Sequence, residues 1–432
     1  MKQTVFLLLC SCLISCNKLI DYLPKPPGGL PHFNYVFGGS KNDGASAIAA
    51  NPDGGYLVAG YTQSNDGDVT GHHGGEFTDG WILKLDKNGH TTWQKPIGGT
   101  GEDGFNAIVA SSGGGYVLAG HSSSQDGDAS GNHGEIDYWV VKIDETGTLL
   151  WQKQLGGSKD DEALSVIASP GGGYVLAGTT YSKDGDVRYR TGEQNGWIVK
   201  LDENGNRVWQ RALGGSHKFD RDGASAVAPT SDGGYMVVGY TYRNPDPDGN
   251  FGNSDVLMVK LDAEGNVVWQ DKAGGLGTEY AKAIVKSADG GFLIAATIVS
   301  EDYNQTNILL LKRNAAGTFE WQKTIPSTSR DEVDAVIRTS DGGYLLTGYA
   351  NTITNSDGQY SENADAFVLK IDAAGNTRWR KHLGGSATDW GHGLLKRSDG
   401  SYVMAAQTES NDGDVKGNHG KTDAWVVTIT DK

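Results

Sequence analysis

Three stretches of the chain carry an acidic, glycine-rich pattern that ends in histidine. They are SNDGDVTGHHG at Ser64, SQDGDASGNHG at Ser124 and SNDGDVKGNHG at Ser410. Each sets two carboxylates one residue apart: Asp66 and Asp68, Asp126 and Asp128, Asp412 and Asp414. With glycine between them, such a pair can aim both side chains at one hard cation. Calcium takes about six to eight oxygens, so backbone carbonyls and a further acid must join. Asp79, Asp137 and Asp423 follow the three loops and supply that acid. Calcium is therefore the one cofactor these residues suggest, although the EF-hand pattern is not met. The competing reading is an Asx-turn loop whose carboxylates accept backbone N–H groups. A degraded copy, SKDGDVRYRTG at Ser182, keeps Asp184 and Asp186.

His73, His133 and His419 close the loops. One histidine per loop falls short of the convergent set that zinc requires, so loop packing or ligand contact is the expectation. Two further acidic positions recur. Asp79, Asp137, Asn195, Asp255, Asn307, Asp365 and Asp423 precede one strand signal; free exchange with Asn points to a structural hydrogen bond. Asp43, Asp103, Asp161, Asp222, Glu279, Asp331 and Asp389 open another. These acids either ring a channel or bond backbone between neighbouring units. Trp390 follows Asp389, and Tyr280 holds the matching slot after Glu279. Aromatic platforms there suit a sugar or another flat ligand, or else fill a channel mouth.

These residues belong to a repeat. DGGYLVAG at Asp53 returns as GGGYVLAG at Gly113 and Gly171, and as DGGYMVVG at Asp232. DGGFLIAA at Asp289, DGGYLLTG at Asp341 and DGSYVMAA at Asp399 follow, at spacings between 52 and 61 residues. Each copy holds four strand signals separated by turn residues. Seven four-stranded units predict an all-β fold, a seven-bladed β-propeller. The last copy lacks its fourth strand, and HFNYVFGG at His32 is a fourth strand with no copy before it. Phe33 falls in the slot that Trp93, Trp151, Trp209, Trp269, Trp321 and Trp379 hold in the other copies. The N-terminal strand is thus predicted to complete the last blade, which hides two sheet edges. In a closed ring the seventh copy adjoins the first, so the three matching loops form one sector. They lie on the face with long connections; the other face carries only tight hairpins.

The signature LD-x-x-G-x-x-x-W, as in LDKNGHTTW and LDENGNRVW, resembles the PQQ-like (quinoprotein-type) β-propeller repeat, over about residues 33–432. The hairpin from Asp86 to Gly89 is one residue shorter than the usual pattern of that family. The resemblance implies that the tryptophan docks on the neighbouring blade. The family's enzymes bind a quinone, commonly use eight blades and often carry a vicinal disulfide. Here there are seven copies and no cysteine beyond Cys16. The resemblance therefore implies the fold and a binding-type lipoprotein, not a quinoprotein dehydrogenase.

The first segment, MKQTVFLLLCSCLISC, has an early lysine, a short apolar run and a lipobox-like LISC. Residues 1–15 read as a lipoprotein signal peptide. Residues 16–31 read as a lipidated Cys16 with a proline-rich tether, and residues 32–432 as the propeller. A net charge of -16 speaks against nucleic acid as a partner. The expectation is an outer-membrane lipoprotein on the periplasmic or cell-surface side, attached to the membrane through its lipid alone. It is read as a non-catalytic binding or scaffolding module that presents its loop face to an outer-membrane protein complex or a glycan. The alternative is a carbohydrate-active hydrolase or lyase that uses loop-face carboxylates; no G-x-S-x-G or HExxH motif occurs.

Overall fold

The computed structural model describes residues 32–431, apart from 189–191, 216–219, 243–253, 276, 301–304, 328–329 and 354–359. The signal, Cys16 and the tether lie outside the described residues, as does the divergent loop of the fourth copy.

Among the described residues there are twenty-eight strands, numbered in chain order from β1 (Asn34–Phe37) to β28 (Asp423–Ile429). Each repeat folds as an antiparallel meander of four. Five sheets contain four strands each. The sixth contains eight, because two meanders touch through one parallel pair, Thr306 with Arg330. β1 pairs antiparallel with β28, with Tyr35 opposite Val426. The first strand thus completes the sheet of the last repeat.

Local chemistry explains the meander. The first hairpin of each repeat turns on a glycine in the left-handed region, as at Gly54 with φ +87°. The third hairpin is an Asx turn: Asp86 Oδ1 accepts from the Asn88 and His90 N–H groups at 2.8 and 2.9 Å. The second and third strands bury both faces, which suits their Val, Leu, Ile and Trp content. Outer strands are more exposed.

The core lies between the sheets. Each hydrophobic cluster draws on two successive repeats. One cluster joins the chain ends: Phe33, Phe37, Ala45 and Tyr56 pack with Val403, Ala405, Ala424 and Val426. Trp139, Trp197 and Trp425 are fully buried in these layers. β2 (Asp43–Ala50) packs against β26 (Asp389–Lys396) and β27 (Tyr402–Thr408) as well as against β6 (Asp103–Ala110). These sheets packed face to face, each with its first strand innermost, define a β-propeller.

Candidate functional site

Every inner strand is interrupted by a β-bulge at the same place. In β2 the register shifts between Ala45 and Ala47, which leaves Ser46 unpaired. Asn106, Leu164 and Ser225 are left out in the same way in the next three repeats. Lys282, Asp334 and His392 are left out in the last three. A bulge re-aims one side chain without ending the strand. All seven of these side chains line one central cavity of about 930 Å³.

A second tier lies toward the long loops. It is built from the residue after each opening acid and its partner on the second strand. Gly44 faces Tyr61, Gly104 faces His121 and Gly223 faces Tyr240. A Cβ at these glycines would come within 2.6, 2.9 and 2.4 Å of the rings, so glycine is what lets each ring lie across the inner strand. Where the inner strand carries the large group the partner is slimmer: Glu162 faces Thr179, Tyr280 faces Thr297 and Trp390 faces Gln407. Glu332 faces Tyr349.

The wall carries charged groups on both sides. His392 Nδ1 lies 3.1 Å from Asp334 Oδ2. Burial pushes the Asp334 carboxyl up, but the His392 hydrogen bond and the charges of His392 and Lys282 outweigh it and hold it below its usual range. Tyr280 and Tyr349 stand beside Glu332; burial and this carboxylate push the two phenols well above their ordinary value. Burial, with Asp43 and Glu409 adding to it, pushes Tyr61 up to about 12. Across the cavity, Asn106 donates to Glu162 Oε1 at 2.9 Å, and His121 Nδ1 lies 3.7 Å from the same oxygen. Gln194 links Tyr181 and Tyr240, at 2.8 and 2.7 Å.

The loop carboxylates sit elsewhere and do not converge. Asp66, Asp126 and Asp412 each accept through Oδ1 from a backbone N–H, of Ser40, Thr100 and Ser386, all at 2.7 Å. Asp68 and Asp414 accept from Gly38 and Gly384 at 3.2 and 3.3 Å. Asp128 joins the equivalent segment through its own N–H, donated to Gly98 O at 2.8 Å. Each pair thus grips two points on the segment leading into its own inner strand. Asp79, Asp137 and Asp423 are buried and accept the N–H of His73, His133 and His419 at 2.8, 2.8 and 2.6 Å. The three histidine rings turn their Nδ1 atoms to the same carboxylates. His73 also bridges successive loops, with Nε2 at 3.8 Å from Asp128. Among the described residues no group of three or more His, Cys, Asp or Glu side chains is arranged to hold a metal ion.

The opening acids do not face the cavity. Asp43 is fully buried and accepts from Gly39 N at 2.8 Å and Ser64 Oγ at 2.7 Å. Asp103, Asp161 and Asp389 repeat this pattern. Burial outweighs these bonds and pushes Asp161 up to about 6. Of the two aromatics expected at the mouth, Tyr280 lines the cavity. Trp390 stands beside it, edge-on to Tyr349 with 6.4 Å between ring centres. Sequence reasoning passed over the bulged residues. Their signal was the third position after each opening acid, polar in all copies but the one with Leu164.

The fold and this cavity make the chain a β-propeller with a central polar site. No family model matches it. A curated relative, the regulatory protein FlaEY of Caulobacter vibrioides, is 21% identical over 392 residues, covering 79% of this chain. The chain spans 40% of the length of that relative. Among solved structures, Sqt1 of Chaetomium thermophilum aligns at 14% identity and a TM-score of 0.47, over 94% of this chain and all of that one. The Pan2 WD40 domain of Neurospora crassa aligns at 10% identity and a TM-score of 0.47, over 90% of each chain.

Proposed function

We propose that the protein is a non-catalytic, lipid-anchored binding module of the cell envelope. Its strands form a closed ring of seven blades, with β1 as the outer strand of the last. Its ligand is a glycan, free or carried by an outer-membrane complex, and a terminal residue of that glycan enters the central cavity from the loop face. The observation that carries this reading is the cavity wall. All seven inner strands expend a bulge on it, and tyrosines, amides and carboxylates share it. Such a lining offers flat apolar rings and many fixed hydrogen-bond partners, which is what a polyhydroxylated ligand needs. The loop clasps then serve as struts that hold the mouth open between neighbouring blades.

One observation favours the enzyme reading. His392 is oriented by Asp334 and lines the cavity. An oriented imidazole near Glu332 could take a proton from a bound sugar. A glycan array with the full chain, followed by an assay for new reducing ends on every ligand retained, separates the readings. Retention without cleavage supports the binding module. Cleavage lost in His392→Ala supports the enzyme. No retained glycan would reject both.

A further inference from the structure

The charge on the cavity wall is unbalanced. Glu102, Glu162, Glu332 and Asp334 line it, and Lys282 is the one lysine or arginine among the lining residues. Lys282 is already engaged: it stands near Asp334, and its Nζ lies 5.7 Å from the centre of the Tyr280 ring. Among the described residues Glu332 has no cation of its own. The Tyr280 and Tyr349 phenols stand beside the carboxylate, and neutral phenols do not balance its charge. Glu162, on the opposite wall, is held by Asn106 and has only His121 nearby.

We infer that the cavity selects a ligand bearing protonated primary amines, which meet the Glu332 and Glu162 carboxylates beside the tyrosine faces. A recessed, low-dielectric cleft of one sign focuses its field on whatever enters. Tyrosine faces attract the same charge, and Lys282 over Tyr280 shows the wall already accommodating an ammonium group. A carboxylate on either wall accepts hydrogen bonds from an ammonium, whereas an acetamido group or a plain hydroxyl brings no charge to balance it. A polyanionic glycan would be repelled. The inference rests on the cavity being the binding site and names its chemistry. The amine can come from an amino sugar or from an aliphatic polyamine.

The test is calorimetric titration of the full chain with three probes: a fully deacetylated chitosan tetramer, the same tetramer fully N-acetylated, and spermidine. The deacetylated tetramer is expected to bind at least about tenfold more tightly than the acetylated one, a difference of about 1.4 kcal/mol. Added salt should weaken it, because part of the attraction is between charges. Glu332→Gln and Glu162→Gln should each reduce amine binding severalfold, while Glu264→Gln, on the opposite face, should not. Melting curves of each variant identify any loss that comes from unfolding. Binding of spermidine alone would support the amine selection and remove the glycan. Equal binding of the two tetramers, or preference for the acetylated one, would overturn the amine selection and leave the cavity as a glycan site. Failure of both amine probes to bind also overturns it.

Discussion

The ring of Phe33 lies across Gly89 as the ring of Trp93 lies across Gly147. A Cβ at either glycine would meet the ring at 2.6 and 2.9 Å. The same relation joins Trp151 to Gly205, Trp209 to Gly265, Trp269 to Gly317 and Trp321 to Gly375. Phe33 therefore occupies the first repeat's docking site for an aromatic supplied by the last outer strand. Trp379, on the outer strand of the sixth repeat, donates its indole N–H to Asp431, just beyond the last strand of the seventh, at 3.0 Å.

From this relation follows a stability prediction. Phe33→Ala should cost about 3–5 kcal/mol, as for truncation of a buried aromatic. Phe33→Trp should be tolerated, because the other copies use tryptophan in this slot. Deleting residues 33–39 should cost far more by exposing the edge of β28, whereas deleting 17–30 should leave the melt unchanged. Urea melts of the four proteins decide it; an unaltered melt for the 33–39 deletion would contradict the strand's role.

Much of this architecture was legible in the sequence, because strand, hairpin and docking-aromatic signals all recur with the repeat. The fourth-strand slot of Phe33 could be found by aligning Gly38-Gly39 with Gly98-Gly99. The cavity was less legible. A bulge adds one residue to a strand and inverts the side-chain alternation past it, so Ser46, Lys282 and Asp334 read as ordinary strand positions. The D-x-D loops left two readings open, a calcium site and an Asx-turn clasp. Their spacing fits a cation, but spacing does not reveal that backbone N–H groups of residues such as Ser40 and Thr100 already point at those oxygens.

The loop geometry leads to a second prediction. Asp66→Ala, Asp126→Ala and Asp412→Ala should each lower the melting temperature, since a backbone donor loses its acceptor. A chelator should leave the wild-type melt where it is. Stabilisation by added calcium that disappears in the three variants would show instead that the loops hold the ion.

Acidity gives a third. Burial raises the pKa of Asp103, Asp137, Asp389 and Glu279, and of Asp161 and Asp423 to about 6. The folded state then holds protons that the unfolded chain has released. These groups weaken the fold above their folded pKa, and that cost fades as pH falls from about 7 toward about 5. The melting temperature should rise over that interval, and Asp161→Asn should flatten the rise. A wild-type melt that falls steadily over the same interval would contradict the assignment.

Anchoring supplies a fourth. If Cys16 carries the proposed lipid anchor, Cys16→Ser should move the protein from the membrane to the soluble fraction. Fractionation in high salt checks it, and retention at the membrane would point to a bound partner or an uncleaved signal.

Everything proposed about binding depends on ligand entering the central cavity. Ser225→Trp places an indole in that cavity from the wall of the fourth repeat, away from the loop clasps. Calorimetric titration of the tightest glycan from the array, against wild type and this variant, is the most direct test. The account predicts one ligand per wild-type chain and a loss of at least about tenfold in affinity, about 1.4 kcal/mol, for a variant with an unchanged melt. Equal affinity in the two proteins would contradict it and place the ligand elsewhere on the propeller.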